Sequence, residues 1–295
     1  MNETLKRAIS GAVYIALLLS SILFSTESFI VLFGIFLIIA TYEFCNLVNI
    51  NKFFATTCVS ILYSTVVLVS FYRTETENYF SKILNKNIEF TIDTDILFVV
   101  LLVMTLLVSI KCILFLFDES QSISKFSKYT YLLGYITLPF IFITKISFGI
   151  KDYNPKIIIG LFILIWTNDT FAYLVGKSIG KHKLFERISP KKTIEGFLGG
   201  AVFAVFAGFL ISKLYIKPNP EFSNMSILIW TIIALIASIF GTIGDLVESK
   251  FKRVAGVKDS GAIMPGHGGV LDRLDSVIFV APIIYLFYQI LYYVS

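Results

Sequence analysis

Gly244-Asp245-Leu246-Val247-Glu248-Ser249-Lys250-Phe251-Lys252-Arg253 is followed by Lys258-Asp259 and then by Pro265-Gly266-His267-Gly268-Gly269-Val270-Leu271-Asp272-Arg273-Leu274-Asp275. Acids, bases and glycines are crowded here between two apolar runs. Asp245 closes the first run and Asp272 stands at the mouth of the second. Charge beside a bilayer costs desolvation energy unless water, a metal or a substrate compensates it. Two readings are open: solvated charges at a membrane surface, or a site. The order of residue types favours a site. Pro-Gly-His-Gly-Gly gives the backbone freedom for close approach to a ligand. The flanking carboxylates are oxygen ligands suited to a hard cation, and the adjacent Lys and Arg are suited to phosphate.

Composition supplies the setting. Of 295 residues, 56% are hydrophobic and only 15% charged, with mean hydropathy +0.82. Soluble chains carry about 25% charge, so the chain reads as an all-α, polytopic membrane helix bundle. Runs long enough to span fall near 8–25, 28–48, 54–72, 96–117, 129–147, 156–176, 196–214, 226–246 and 276–294, about nine transmembrane helices. The last run is aromatic through Tyr292-Tyr293, as at an interface belt. No short apolar core with a small-residue cleavage site follows Lys6-Arg7, so the first run reads as a retained span.

With the N-terminus cytoplasmic, inward loops carry sixteen Lys and Arg residues and outward ones eight, Lys145, Lys151 and Lys156 among the latter. The net charge of +5 is thus explained by topology without nucleic acid. This orientation puts both motif-rich loops, 177–195 and 247–275, on the cytoplasmic face. Cys45, Cys58 and Cys112 lie in or beside apolar runs without metal-type spacing and read as packing residues.

Residues 1–155 form an N-terminal region of about five spans, poor in recognisable chemistry. Residues 73–95 make a polar outer segment with no assigned function. Glu43 stands out within the second span. It reads either as functional, as ionisable groups at that depth often are, or as a hydrogen-bonded carboxyl near the inner boundary, with Asn46 and Lys52 close by. Residues 156–295 are chemically richer. Asn168 and Asp169 interrupt a span, and Asp169 and Tyr173 lie one helical turn apart, on one face. Ser189-Pro190-Lys191-Lys192-Thr193-Ile194-Glu195-Gly196 marks a turn into a helix, where exposed amides bind anions. Its lysines serve as a phosphate cradle or only as topology determinants. Gly196, Gly199 and Gly200 suit close helix packing as well as ligand contact.

Ser249-x-Phe251-Lys252-Arg253, then Lys258-Asp259-x-Gly261, then Pro265-x-His267-Gly268-Gly269-x-x-Asp272-Arg273-x-Asp275 resembles the signature of phosphatidate cytidylyltransferases (CDP-diacylglycerol synthases) over about 27 residues. Met264 stands where that family usually has Ile, Leu or Phe, an apolar exchange. Asp169-x-x-Ala172-Tyr173, Gly176, Gly180-Lys181 and Ser189 through Gly196 resemble the same family in the same order. The likeness covers most of 165–275, and the first half only by span pattern.

The resemblance implies transfer of CMP from CTP to phosphatidic acid within the bilayer, by an enzyme embedded in the cytoplasmic membrane with its site facing the cytoplasm. It implies Asp245 and Asp272 as ligands of Mg²⁺, and a homodimer. A second metal or a monovalent cation is a further expectation. Asp275 and Asp169 are candidates for a lesser role. Lys191, Lys192, Lys252, Arg253 and Arg273 are expected on phosphates, with Lys258 behind them. Ser189, Thr193, Glu195, His267, Gly268 and Gly269 complete the substrate set; His267 could instead simply pin the glycine turn. From the residues alone, Asp245 has Glu248 and Ser249 at i+3 and i+4 on one helix face. No Cys/His set argues for zinc and no Walker-type loop is present. A CTP-dependent polyprenol or lipid kinase and a transporter are the alternatives. One-sided clustering of the polar motifs speaks against the transporter.

Overall fold

The computed structural model describes residues 3–91, 93–120, 122–148 and 153–294, with side chains of 3, 4, 293 and 294 left aside. Lys151 and the Tyr293 side chain, used above for orientation and for the aromatic belt, lie outside the described residues. Among those described, nine helical spans are long and apolar enough to cross a membrane. The helices are α1 (Glu3–Phe24), α2 (Thr26–Val48), α3 (Lys52–Phe71), α4 (Arg73–Leu84), α5 (Thr94–Phe117), α6 (Lys125–Tyr131) and α7 (Leu138–Ile146). They continue with α8 (Pro155–Ile179), α9 (Ile194–Leu210), α10 (Ser223–Val254) and α11 (Leu271–Val294). A π-helical turn, Leu132–Thr137, joins α6 to α7 into one span, and another, Ile211–Ile216, extends α9. The only strands among the described residues are β1 (Lys183–Phe185) and β2 (Ser189–Thr193), an antiparallel pair.

Local chemistry sets the helix ends. Ser25 and Ser28 form a reciprocal capping box between α1 and α2, and Asn49 ends α2 in the left-handed conformation. Asn51, Asp93, Asn154 and Thr193 accept first-turn amides of α3, α5, α8 and α9. The polar 73–95 segment carries α4, which lies between the spans. All three cysteines are free thiols, with Cys45 and Cys112 buried.

Two boundaries differ from the hydropathy reading. The run that ended near 246 continues as helix to Val254, and Asp272 and Asp275 already belong to α11. The second motif loop is therefore 255–270, not 247–275. Similarly, Lys177 and Glu195 lie on α8 and α9, so the first motif loop shrinks to the hairpin between them. Charged residues in the last turns of α10 end the apolar run without ending the helix, because Leu, Glu, Lys and Arg are good helix formers.

Phe251 fixes this helical extension. It is buried in an aromatic cage of Phe44 (5.2 Å), Phe115 (5.0 Å), Tyr131 (5.1 Å) and Tyr135 (5.5 Å). Such pairs add about 0.5–1.5 kcal/mol each beyond burial. The cage anchors α10 against α2, α5 and α6, so the residues on either side of Phe251 are held rigidly. Lys250 reaches the Asp118 carbonyl at the end of α5 (2.6 Å) and Lys252 turns toward α11. The α10–α11 contact is made close by small residues: a Cβ on Gly244 would stand 2.5 Å from the Asp275 carbonyl, and the Ser276 hydroxyl donates to the Gly241 carbonyl at 3.2 Å. Asp245 follows directly on that close approach.

Candidate active site

Four elements, the hairpin, α8, α10 and α11, meet at one end of the bundle. The hairpin brings Lys192, whose ammonium pairs with Asp245 Oδ2 at 2.6 Å. Arg253 donates to the Ile188 carbonyl at 3.3 Å and ties the same hairpin to the end of α10. From α10, Lys252 pairs with the buried Glu248 and with Asp272 Oδ1 at 2.7 Å. From α8, Asp169 is within electrostatic reach of Asp245, Lys192 and Arg273. Asp275 is likewise within reach of Asp245, Asp169 and Lys252. Alternating charge of this kind, at the rim of an apolar bundle, is a receptor for anions and cations together.

The hairpin is shaped by its own neighbours. Glu195 Oε2 accepts from the Lys181 amide (3.0 Å), and Oε1 is paired with the ring of His182 (2.6 Å). Thr193 accepts from the Gly196 amide at 3.1 Å and so starts α9. Both residues, named above for the substrate set, also hold the turn. A Cβ on Gly196 or Gly200 would press on the carbonyls of Ala172 and Asn168, and one on Gly199 on Val175. These three glycines therefore pack α9 on α8. Ser189 sits in β2, half-buried, opposite Phe185. Lys191 is exposed beside it, with no ion pair among the described residues.

The 255–270 loop is built around Asp272. Its Oδ2 accepts from the Ser260 amide, the Ser260 hydroxyl and the Gly269 amide, each at 2.8 Å. With Lys252 on Oδ1, one lone pair of the carboxylate is left, beside that ammonium. Gly268, at φ +85°, passes so close that a Cβ would stand 2.5 Å from Oδ2. The loop folds back through Met264 and Gly268, whose amide and carbonyl meet at 2.9 Å. Gly268 and Gly269 thus serve the turn around Asp272. Lys258 is exposed on the loop, and Arg273 donates to the His267 carbonyl at 2.9 Å.

Glu43 has a clear position. It is 1% exposed, and its carboxylate accepts from the amides of Val270 (3.1 Å) and Leu271 (2.8 Å) and from the Ser260 hydroxyl (3.4 Å). Those amides are unsatisfied donors at the start of α11, and a carboxylate there is favoured by the helix dipole. Gly261 and Gly269 crowd the same carboxylate, leaving no room for a Cβ at either position. Of the two sequence readings, the hydrogen-bonded carboxyl is the observed one, though its partners lie on the site loop rather than at Asn46 or Lys52.

The first helix also reaches the loop. The Ser10 hydroxyl donates to the Pro265 carbonyl (2.9 Å), and its oxygen faces His267 Nδ1 at 2.7 Å. Desolvation, with Arg273 and Arg7 nearby, holds the His267 ring below the usual histidine pKa. His267 ties the glycine turn to α1. Nothing in the sequence of α1 signalled this contact.

The residues fit Mg²⁺ in part. Asp245 fits: its side chain is 35% exposed, with Lys192 and Ser249 (3.2 Å) as its only donors among the described residues. Asp272, 6% exposed and nearly saturated, is less open than the sequence suggested. Among the described residues no group of three or more His, Cys, Asp or Glu is arranged to hold a metal. Mg²⁺ is commonly held by one or two carboxylates plus substrate phosphates, so two suffice.

The model of the cytidylyltransferase family matches residues 5–291. The phosphatidate cytidylyltransferase of Staphylococcus aureus strain COL is 53% identical over 123 residues, 42% of this chain and 45% of the relative. That of Bacillus subtilis strain 168 is 42% identical over 189 residues, 64% of this chain and 65% of the relative. That of Staphylococcus epidermidis is 46% identical over 129 residues, 44% and 47% of the two. The matched stretch spans about half the length of the staphylococcal relatives.

Proposed function

The chain belongs to the cytidylyltransferase family, and from that premise we propose that it transfers CMP from CTP to phosphatidic acid, giving CDP-diacylglycerol and pyrophosphate. The observation that carries this reading is the meeting of Asp245, Asp272 and Asp275 with Lys192, Lys252 and Arg273 at the end of the bundle. An oxygen of the lipid phosphate attacks the α-phosphorus of CTP, and the bond to the β-phosphate oxygen breaks. Pyrophosphate leaves with that electron pair. Phosphatidate is already an anion at neutral pH, so no strong protein base is needed. The obstacle is the approach of two anions, and fixed cations lower it by neutralisation and positioning.

Lys191, Lys192 and Arg273 receive the triphosphate, with Lys258 at the outer edge. Lys252 is kept charged and aimed by Glu248 and Asp272, facing the reacting phosphates. Asp245, with the remaining Oδ1 lone pair of Asp272, would hold Mg²⁺. Mg²⁺ supplies charge neutralisation on the phosphates when bound. The N-terminus and both loops face the cytoplasm, where CTP is found, and the lipid enters from the bilayer of the cytoplasmic membrane. Residues 156–295 carry the chemistry. Residues 1–155 support it and offer the surface for a homodimer.

The test is transfer of label from α-³²P-CTP into lipid by the purified chain in liposomes, with and without phosphatidate and Mg²⁺. Labelled lipid requiring both supports the reading. Label moving instead from γ-³²P-CTP into a lipid alcohol would make the chain a kinase and overturn it. So would the absence of any transfer by a folded preparation.

A further inference from the structure

Tyr14 carries a hydroxyl that nothing above uses. The residue is 8% exposed, and its Oη has no hydrogen-bond partner among the described residues. Buried polar groups are almost always paired, so an orphan calls for an explanation. Its surroundings supply one, because Tyr14 is within electrostatic reach of Arg273 and Asp275, two residues of the site.

The first helix is laid out in the same sense. Arg7, Ser10, Tyr14, Leu18 and Ile22 recur at three- and four-residue spacing and so share one face of α1. The polar end of that stripe meets the loop, with Ser10 on Pro265 and His267 and Gly11 against the His267 ring. The far end, Leu18 and Ile22, is fully buried and apolar. Tyr14 stands at the changeover, about 6 Å along the helix from Ser10 at 1.5 Å per residue. Its neighbours Val13 and Leu17 are exposed on the outer, lipid-facing side of the bundle. Leu18 and Ile22 pack into the protein core, so it is the exposed apolar flank of Val13 and Leu17 beside the Tyr14 hydroxyl that suits acyl chains below a phosphate. A nucleotide, polar throughout, matches only the loop end.

Resting on the activity proposed above, we propose that the Tyr14 hydroxyl donates a hydrogen bond to a phosphate oxygen of the lipid substrate, making α1 the bilayer-side wall of the site. Tyr14→Phe is the fitting variant, because the ring keeps its contact with Phe36 at 6.1 Å and only the hydroxyl is lost. Hydrogen bonds to charged groups carry roughly 1.5–3 kcal/mol, which converts to about a tenfold or greater rise in KM for phosphatidate. KM for CTP and the thermal midpoint should stay at wild-type values.

A second readout needs no turnover: stabilisation of the protein by dioleoyl-phosphatidic acid over dioleoyl-phosphatidylcholine in detergent. Wild type should show the shift and Tyr14→Phe should lose most of it. Unchanged KM for phosphatidate in a folded variant overturns the proposal, as does a rise confined to CTP. If wild type transfers no label, the activity reading itself has failed, whereas active wild type with a fully active Tyr14→Phe sinks only this inference.

Discussion

The two loops of the site are held in opposite ways. The hairpin is anchored from close by: Glu195 grips amides only 13 and 14 residues upstream, and Thr193 caps the next helix. The 255–270 loop is anchored from far away, by a buried Glu43 lying 227 and 228 residues before the amides it accepts. The first anchor is half in water and the second is inside the protein. An exposed charge contact is worth at most about 1 kcal/mol. A buried amide left without its acceptor costs about 1–3 kcal/mol. Distance along the chain and energetic weight thus rise together in this site.

Breaking the buried anchor system at its centre should have the largest effect. Asp272→Asn removes the partner of Lys252 and sets an amide group among three donors. Transfer into lipid should fall by about 10²-fold or more, with membrane insertion unchanged; full activity would sink the role given to Asp272. Glu43→Gln comes next. It keeps one acceptor for the α11 amides and loses the other, costing about 1–3 kcal/mol. Hydrogen exchange should quicken across 258–271 and leave the hairpin alone, and unaltered exchange there would refute the long-range anchor.

Glu195→Gln should do less, no more than about 1 kcal/mol. Faster exchange should be confined to 181–193, with activity within a few-fold of wild type. The smallest effect is titration of His267. Its folded pKa lies below the ordinary value of 6.5, so as pH falls through about 6.5 the unfolded chain takes up the proton first. Stability is therefore lost in that window and levels off below the folded pKa. His267→Asn should flatten the difference in thermal midpoint between pH 7.5 and pH 5.5, and an unchanged slope would assign it elsewhere.

The same contrast explains what could be read in the sequence. The nine spans among the described residues were legible because lipid demands long apolar runs, and the charge cluster of the candidate site because Asp245, Lys252 and Asp272 stand out beside them. The end of α10 was not, since hydropathy registers the loss of apolar character at Glu248 but not the continuing helical face through Phe251. Glu43 was legible as unusual, yet its partners were not, because no local pattern joins residue 43 to residue 271. Glu195 and Thr193 were found by motif, but their hold on the turn was not, since a carboxylate that grips a turn and one that meets a ligand look alike in one dimension. Tyr14 gave no signal: an aromatic on an apolar helix face is ordinary until its hydroxyl is seen without a partner among the described residues.

The Glu43 clamp also has a consequence in time. A chain made from its N-terminus places α2 in the membrane long before α11 is synthesised. Until the last span arrives, Glu43 is a carboxyl at membrane depth without the amides that satisfy it. Closing that contact is a high-contact-order event, and such contacts form late. The site loop is thus ordered only once the final helix is in place. A chain stalled before α11 would carry in its second span an acid without the Val270 and Leu271 amides that satisfy it in the finished chain.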